Sequence, residues 1–257
     1  MKHRIVVKIG SNVLTRPDGK LDVTRMSALV DQVAWLRANG YEVVLVSSGA
    51  VASGRGELKI GHSLDSVEQR QLFSAIGQVK LIGLYYDLFR EFGIHVGQVL
   101  TMKENFEPGE QYDNQRACMT VMLRNGVLPI VNENDTVCVT ELMFTDNDEL
   151  SGLIAQMVEA DTLILLSNID GIFTGRPEDP DSQLIRDVEP DADLSHYIQT
   201  EKSAFGRGGM SSKYQTAKRT AQAGIRVLIA NGTRADVLID LMEHADTTPH
   251  TTFIPLL

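Results

Sequence analysis

The chain has 257 residues, 43% hydrophobic and 23% charged, enough apolar material for one large domain and unlike a disordered composition. Its 24 Lys and Arg against 34 Asp and Glu leave a net charge of -10, which argues against nonspecific nucleic-acid binding and requires any anionic ligand to meet locally concentrated cations. Two cysteines without CxxC spacing suggest neither a disulfide framework nor a zinc site, and no signal-peptide or membrane-span pattern occurs, so a reducing, cytoplasmic setting is expected.

In chain order, the short β-branched run Arg4 to Ile9 reads as a strand broken by Gly10-Ser11-Asn12. Met26, Leu29, Val30, Val33 and Leu36 then recur at helical spacing up to Asn39-Gly40. Tyr41 to Ser47 reads as a buried strand, and one long helical region is expected after Ser48-Gly49-Ala50, through Phe73, Ile76, Ile82 and Phe89 to Gly93. Ile94 to Leu100 is a third strand, Asn114 to Asn125 a helix, and Val127 to Val131 a fourth strand that Pro129 assigns to an edge or a strained position.

Thr136 to Thr145 suggests a β-hairpin, on the spacing of Val137, Val139, Leu142 and Phe144, before Asp148 to Glu159 resumes helical character. Asp161 to Ser167 is the most apolar strand, and Gly171 to Asp193, rich in Pro, Asp and Gly, reads as a long loop. A helix from about Ser211 to Ala223, a strand Ile225 to Ala230 and a helix through Val237, Leu238 and Leu241 follow. Cys118, Cys138, the methionines and Trp35 are read as packing residues.

Alternating strands and helices imply an α/β three-layer sandwich, a mainly parallel sheet with helices on both faces and ligands at the carboxyl strand ends. The polar and glycine-containing runs follow strands: Lys8 to Ser11, Ser47 to Ala50, Asn132 to Asp135 and Ser167 to Gly171. Four loops are therefore expected to converge on one cleft.

Gly206-Arg207-Gly208-Gly209-Met210-Ser211-Ser212-Lys213 is not a Walker A motif, because Ser212 stands where that pattern needs Gly, and neither GxGxxG nor HExxH occurs. A glycine-rich loop entering a helix can still hold phosphate on backbone N–H groups, with Lys213 one turn inside; a flexible connector with a solvated lysine fits the same residues. Lys8 and the Ser47 to Ala50 turn are each weak alone. Asn132-Glu133-Asn134-Asp135 offers side chains for an ammonium or hydroxyl group, or a capped turn. Thr145 to Glu149 reads equally as an acidic N-cap or as a carboxylate aligning two lysines.

Taken together and in order, KIGSNVLT from Lys8, VSSGAVASGRGEL from Val46, GIHVGQVL from Gly93, PIVNENDTV from Pro129, DNDELS from Asp146 and GGMSSK from Gly208 resemble the glutamate 5-kinase family of the amino-acid kinase superfamily, over essentially the whole chain. The resemblance implies the amino-acid kinase fold, with residues about 1–160 forming an amino-acid-binding half and about 161–257 a nucleotide-binding half. It also implies transfer of phosphate from ATP, with Mg²⁺, to the side-chain carboxylate of L-glutamate, the first step towards proline.

By matching motifs, Lys8 and Lys213 would contact ATP phosphates, Asp148 would orient both lysines, and Ser48, Asp135 and Asn147 would bind glutamate. Ser167, Asn168, Arg207, Gly208, Gly209, Met210, Ser211 and Ser212 would form the nucleotide side. No protein metal ligands are implied, while a homodimer or homotetramer and a following glutamate-semialdehyde dehydrogenase are. Asn168 stands where the family often has Asp, and Arg207 where it has a small residue such as Thr. Many bacterial members carry a C-terminal PUA domain, which this sequence is expected to lack. A kinase acting on acetylglutamate or aspartate, or a non-catalytic amino-acid or nucleotide sensor, are the alternatives.

Overall fold

In the computed structural model of the chain, residues 3–58, 60–138, 144, 146–198 and 209–256 are described. The strands are β1 (Arg4–Ile9), β2 (Glu42–Ser47), β3 (Val96–Thr101), β4 (Leu128–Glu133), β5 (Thr162–Ser167), β6 (Asp187–Val188), β7 (Arg226–Asn231) and β8 (His250–Phe253). They form one sheet in the order β3-β4-β2-β1-β5-β7-β8-β6, parallel except where β7 meets β8. The helices are α1 (Ser11–Leu14), α2 (Val23–Ala38), α3 (Ala50–Arg55), α4 (Ser66–Arg90), α5 (Glu110–Arg124), α6 (Asn147–Met157), α7 (Met210–Gln222) and α8 (Val237–Glu243). A 3₁₀ turn covers Lys103–Phe106.

Strand alternation sorts the core into two layers. Ile5, Val7 and Ile9 of β1 join Ile164 and Leu166 of β5 against residues of α2, α4 and α8. Val6, Leu163 and Leu165 face the other way, against α5, α6 and α7. This second face decides the site, because Lys8 shares its parity with Val6 and so points toward α6 and α7.

The expected long helix after Gly49 is two helices. α4 starts at a capping box in which Asp65 accepts from the backbone N–H groups of Val67 and Glu68, while the Glu68 carboxylate accepts from the Asp65 N–H. α3 and α4 touch backbone to backbone: a Cβ at Gly77 would stand 1.7 Å from the Ala50 carbonyl oxygen, and one at Gly54 1.9 Å from that of Phe73. Hydrophobic periodicity runs through the break and cannot reveal it.

Other expectations need correction. Residues after Gly10 form the short helix α1, and α5 begins at Glu110 rather than Asn114. Pro129 lies on a buried interior strand, since β4 pairs with both β3 and β2. The Leu128 N–H donates toward β3, so the donor missing at Pro129 falls on the β2 side, where pairing begins only at Ile130. The stretch read as one long loop contains β6, and β8 was unforeseen because its His-Thr-Thr-Phe sequence is too short to show a pattern. Cys118 is exposed rather than packed, and Trp35 is only half-buried at the margin of the first core layer. Cys138 is buried, which pushes its thiol up to about 11 and suits an inert packing role. The hairpin expected over 136–145 falls largely outside the described residues. No helix among the described residues is long and apolar enough to cross a membrane.

Candidate active site

A cavity of about 860 Å³ opens at the carboxyl ends of β1, β2, β4 and β5. Lys8, Ser48, Asp135, Asn147, Ser167 and Lys213 all stand on its wall, so the four polar strand-end runs do converge.

The run from Asp146 to Glu149 satisfies both of its readings, with different residues. Asp146 is the N-cap of α6, accepting from the backbone N–H groups of Asp148 at 2.9 Å and Glu149 at 3.1 Å. Asp148, held in the first helical turn, turns inward with no exposed side-chain surface. Its Oδ1 lies 2.6 Å from Lys8 Nζ and its Oδ2 accepts from Lys213 Nζ at 3.0 Å. Lys213 reaches it from the first turn of α7, which packs beside α6 on the same face of the sheet. An ammonium carries three donors, so sharing one carboxylate leaves both lysines with capacity toward the cavity.

Burial and neighbouring charge shift Lys8, Asp148 and Asp146. Burial pushes Lys8 below the ordinary lysine value, against the pull of Asp148 and with the help of neighbouring Lys213. Burial would raise Asp148, but the two ammonium groups outweigh it and hold the carboxyl below its usual range. Asp146 goes the other way, raised by burial and by the negative charge of Asp148, with the Ser212 hydroxyl opposing. Space is tight here: a Cβ at Gly10 would stand 3.3 Å from Lys8 Nζ and 3.1 Å from the Leu166 carbonyl oxygen.

Asn147 ties the strand ends together. Its Nδ2 donates to Ser48 Oγ at 2.9 Å and to Asn132 Oδ1 at 3.1 Å, and Asn132 Nδ2 donates to Gln78 Oε1 at 3.0 Å. Below it, Ser47 Oγ lies 2.8 Å from the Tyr85 hydroxyl, whose phenol burial pushes up to about 12 and keeps neutral.

Arg70 stands outside every motif of the sequence, and Glu133 belongs to the Asn132 to Asp135 run without an assigned role of its own. Arg70, on α4, donates from Nε to Asp135 Oδ1 at 2.7 Å and from Nη2 to Glu133 Oε2 at 2.8 Å. Glu133 is buried at the end of β4, and its Oε1 accepts the Phe144 N–H at 3.0 Å. No local motif marks Arg70, because its partners lie across the α4–β4 crossing.

The nucleotide-side residues are more scattered. Asn168 is exposed and, like Gly209, Met210, Ser211 and Ser212, does not line the cavity; Met210 packs instead against the second core layer. Arg207 and Gly208 lie outside the described residues.

The model of the amino acid kinase family matches residues 3–231. The glutamate 5-kinase of Bacteroides thetaiotaomicron is 64% identical over 252 residues, covering 98% of this chain and 70% of the relative. That of Chlorobaculum tepidum is 47% identical over 237 residues, covering 92% of the chain and 65% of the relative. For the glutamate 5-kinase of Symbiobacterium thermophilum the identity is 42%, with 93% of the chain and 92% of the relative covered. Among solved structures, Giardia lamblia carbamate kinase bound to AMP-PNP superposes with a TM-score of 0.70 at 16% identity, covering 99% of both chains. Ureaplasma parvum UMP kinase has a TM-score of 0.66 at 16% identity, again covering 99% of both. At such identity the last two speak to the fold.

Proposed function

The chain belongs to the amino acid kinase family and, within it, to the glutamate 5-kinases, and from that membership we infer that it transfers the terminal phosphoryl group of ATP to the side-chain carboxylate of L-glutamate. The observation that carries the reading on this chain's own residues is the meeting of Lys8 and Lys213 on buried Asp148, at the wall of the cavity that also holds Ser48, Asp135 and Asn147.

In the reaction a glutamate side-chain oxygen bonds to the γ-phosphorus as the bond from that phosphorus to the β,γ-bridging oxygen breaks, and its electron pair leaves on ADP. The nucleophile needs no general base, because a carboxyl of reference pKa about 4.3 is already ionised at neutral pH. The barrier lies in bringing one anion up to another, so catalysis is positioning and charge neutralisation. Lys8 and Lys213 serve the phosphate oxygens, with Asp148 holding the ammonium groups at fixed separation before substrate arrives. Ser48, Asp135 and Asn147 serve the amino acid, Asp135 receiving its ammonium group.

Residues about 1–160 supply the amino-acid half, and about 161–257 the nucleotide half with Ser167, Asn168 and the run Arg207 to Lys213. Mg²⁺, when bound with ATP, would spread the charge of the phosphates. Among the described residues no three-ligand cluster exists, but the cap hydrogen bonds of Asp146 use Oδ1 and leave Oδ2 buried on the cavity wall. One such oxygen fits a cation that keeps its waters and phosphate ligands. The acyl phosphate product is reactive toward water and suits prompt reduction by a semialdehyde dehydrogenase.

Hydroxylamine trapping tests the reading, because it converts an acyl phosphate to a hydroxamate. ATP-dependent hydroxamate is expected from L-glutamate; its formation from acetylglutamate or aspartate alone refutes the substrate, and binding of ATP and glutamate without turnover identifies a sensor.

A further inference from the structure

The side chains of Arg70, Glu133 and Asp135 form a charged cluster on the cavity wall, separate from the lysine pair on Asp148. Glu133 has 1% of its side chain exposed, Asp135 11% and Arg70 16%, so their charges act on one another with little screening. The three come from different places: Arg70 from the second turn of α4, Glu133 from the last position of β4, and Asp135 from the turn beyond it. The Arg70 fork spans both carboxylates, with Nη2 shared between them.

L-Glutamate carries one ammonium and two carboxylates at neutral pH, a net anion. A wall bearing both Glu133 and Asp135 without Arg70 would attract the ammonium but repel the substrate as a whole. With Arg70 in place these three side chains sum to one negative charge, matching one ammonium. The same guanidinium fixes which Asp135 oxygen it engages, leaving the carboxylate oriented rather than free to rotate. We propose that Arg70 is a positioning and specificity residue, orienting Asp135 and cancelling the charge of buried Glu133 so that this cluster offers one net negative charge to the substrate's ammonium group. The inference rests on the assignment of Asp135 to that ammonium.

Full-length protein variants and hydroxamate kinetics test it. Arg70→Met is expected to raise the glutamate KM at least about tenfold while kcat stays within about threefold and the ATP KM is unchanged. Arg70→Lys, which keeps the charge, should lie between Arg70→Met and the parent. The deciding variant is Arg70→Met with Glu133→Gln: it restores the net charge, its amide oxygen still accepts the Phe144 N–H, and it should recover most of the lost affinity. A merely structural role for the ion pair would move kcat, the ATP KM and the stability along with the glutamate KM, both in the single variant and in its recovery. An unchanged KM in Arg70→Met, or a double variant no better than the single one, overturns the proposal. If Arg70→Met does not fold, Arg70→Gln carries the same comparison. Asp135→Ala separates the two layers of argument: an unchanged glutamate KM there removes the Asp135 assignment and this inference with it, whereas a raised KM there with a normal one in Arg70→Met removes the inference alone.

Discussion

Lys8 and Lys213, from the first strand and the seventh helix, meet on opposite oxygens of a single carboxylate, at 2.6 Å and 3.0 Å from Asp148 Oδ1 and Oδ2. The substitution Asp148→Asn leaves two buried ammonium groups facing each other without the carboxylate that bridges them. Breaking a buried pair from one side costs about 3–5 kcal/mol. A loss of stability of that order in chemical denaturation, with kcat reduced at least about a hundredfold, is expected. Near-normal stability would mean the lysines are not held as described.

Lys213→Met should lower kcat about a hundred- to a thousandfold while the glutamate KM moves only a few-fold, because its contact strengthens as charge shifts in the transition state. Steady-state kinetics with each substrate varied decide it; an unchanged kcat removes Lys213 from the mechanism.

Asn147→Ala cuts the hydrogen bonds that hold Ser48 and Asn132 against the start of α6. Its expected signature is a glutamate KM raised about tenfold, roughly the worth of one or two buried hydrogen bonds, with the ATP KM unaltered. Equal effects on both substrates would point to a general distortion instead.

The pH dependence follows from the two opposed shifts. Lys8 is held below its ordinary 10.5, so kcat should decline on the alkaline side at a lower pH than a solvated lysine would dictate. Asp148 is held below 3.8, so its stabilising contribution is complete above that value and is lost only as pH falls through its own lower one. The stability difference between the parent and Asp148→Asn should therefore hold steady from neutral pH down to about 4 and shrink below it. A difference that fades between about pH 7 and 5 contradicts the shift.

Gly77→Ala tests the α3–α4 contact, since its methyl would lie 1.7 Å from the Ala50 carbonyl oxygen and both partners are backbone. Overpacking typically costs about 1–3 kcal/mol, and a rigid backbone neighbour places this substitution at or above the upper end. Thermal or urea denaturation measures it. Gly83→Ala, at a position with nothing near its added Cβ, is the control and should be neutral or slightly stabilising.

The alternation of strands and helices, the parallel character of the sheet and the polar runs at its carboxyl edge are all written in short windows of the chain, through side-chain period and turn chemistry. Lys8, Asn132, Asp146 and Lys213 are legible there as strand-end or helix-start residues, and the order of the motifs added the family. Which aspartate does what depends on long-range packing: Asp146 caps and Asp148 bridges because α6 and α7 lie on the face toward which the parity of β1 sends Lys8. Arg70 belongs to the same category. Its role depends on α4 crossing the end of β4, a meeting of segments distant in the chain that no local pattern encodes. The split between α3 and α4 does not show in the apolar spacing, which continues across it; its local signal is the Asp65-x-x-Glu68 capping box, whereas the close backbone approach at Gly54 and Gly77 exists only after the two helices have packed.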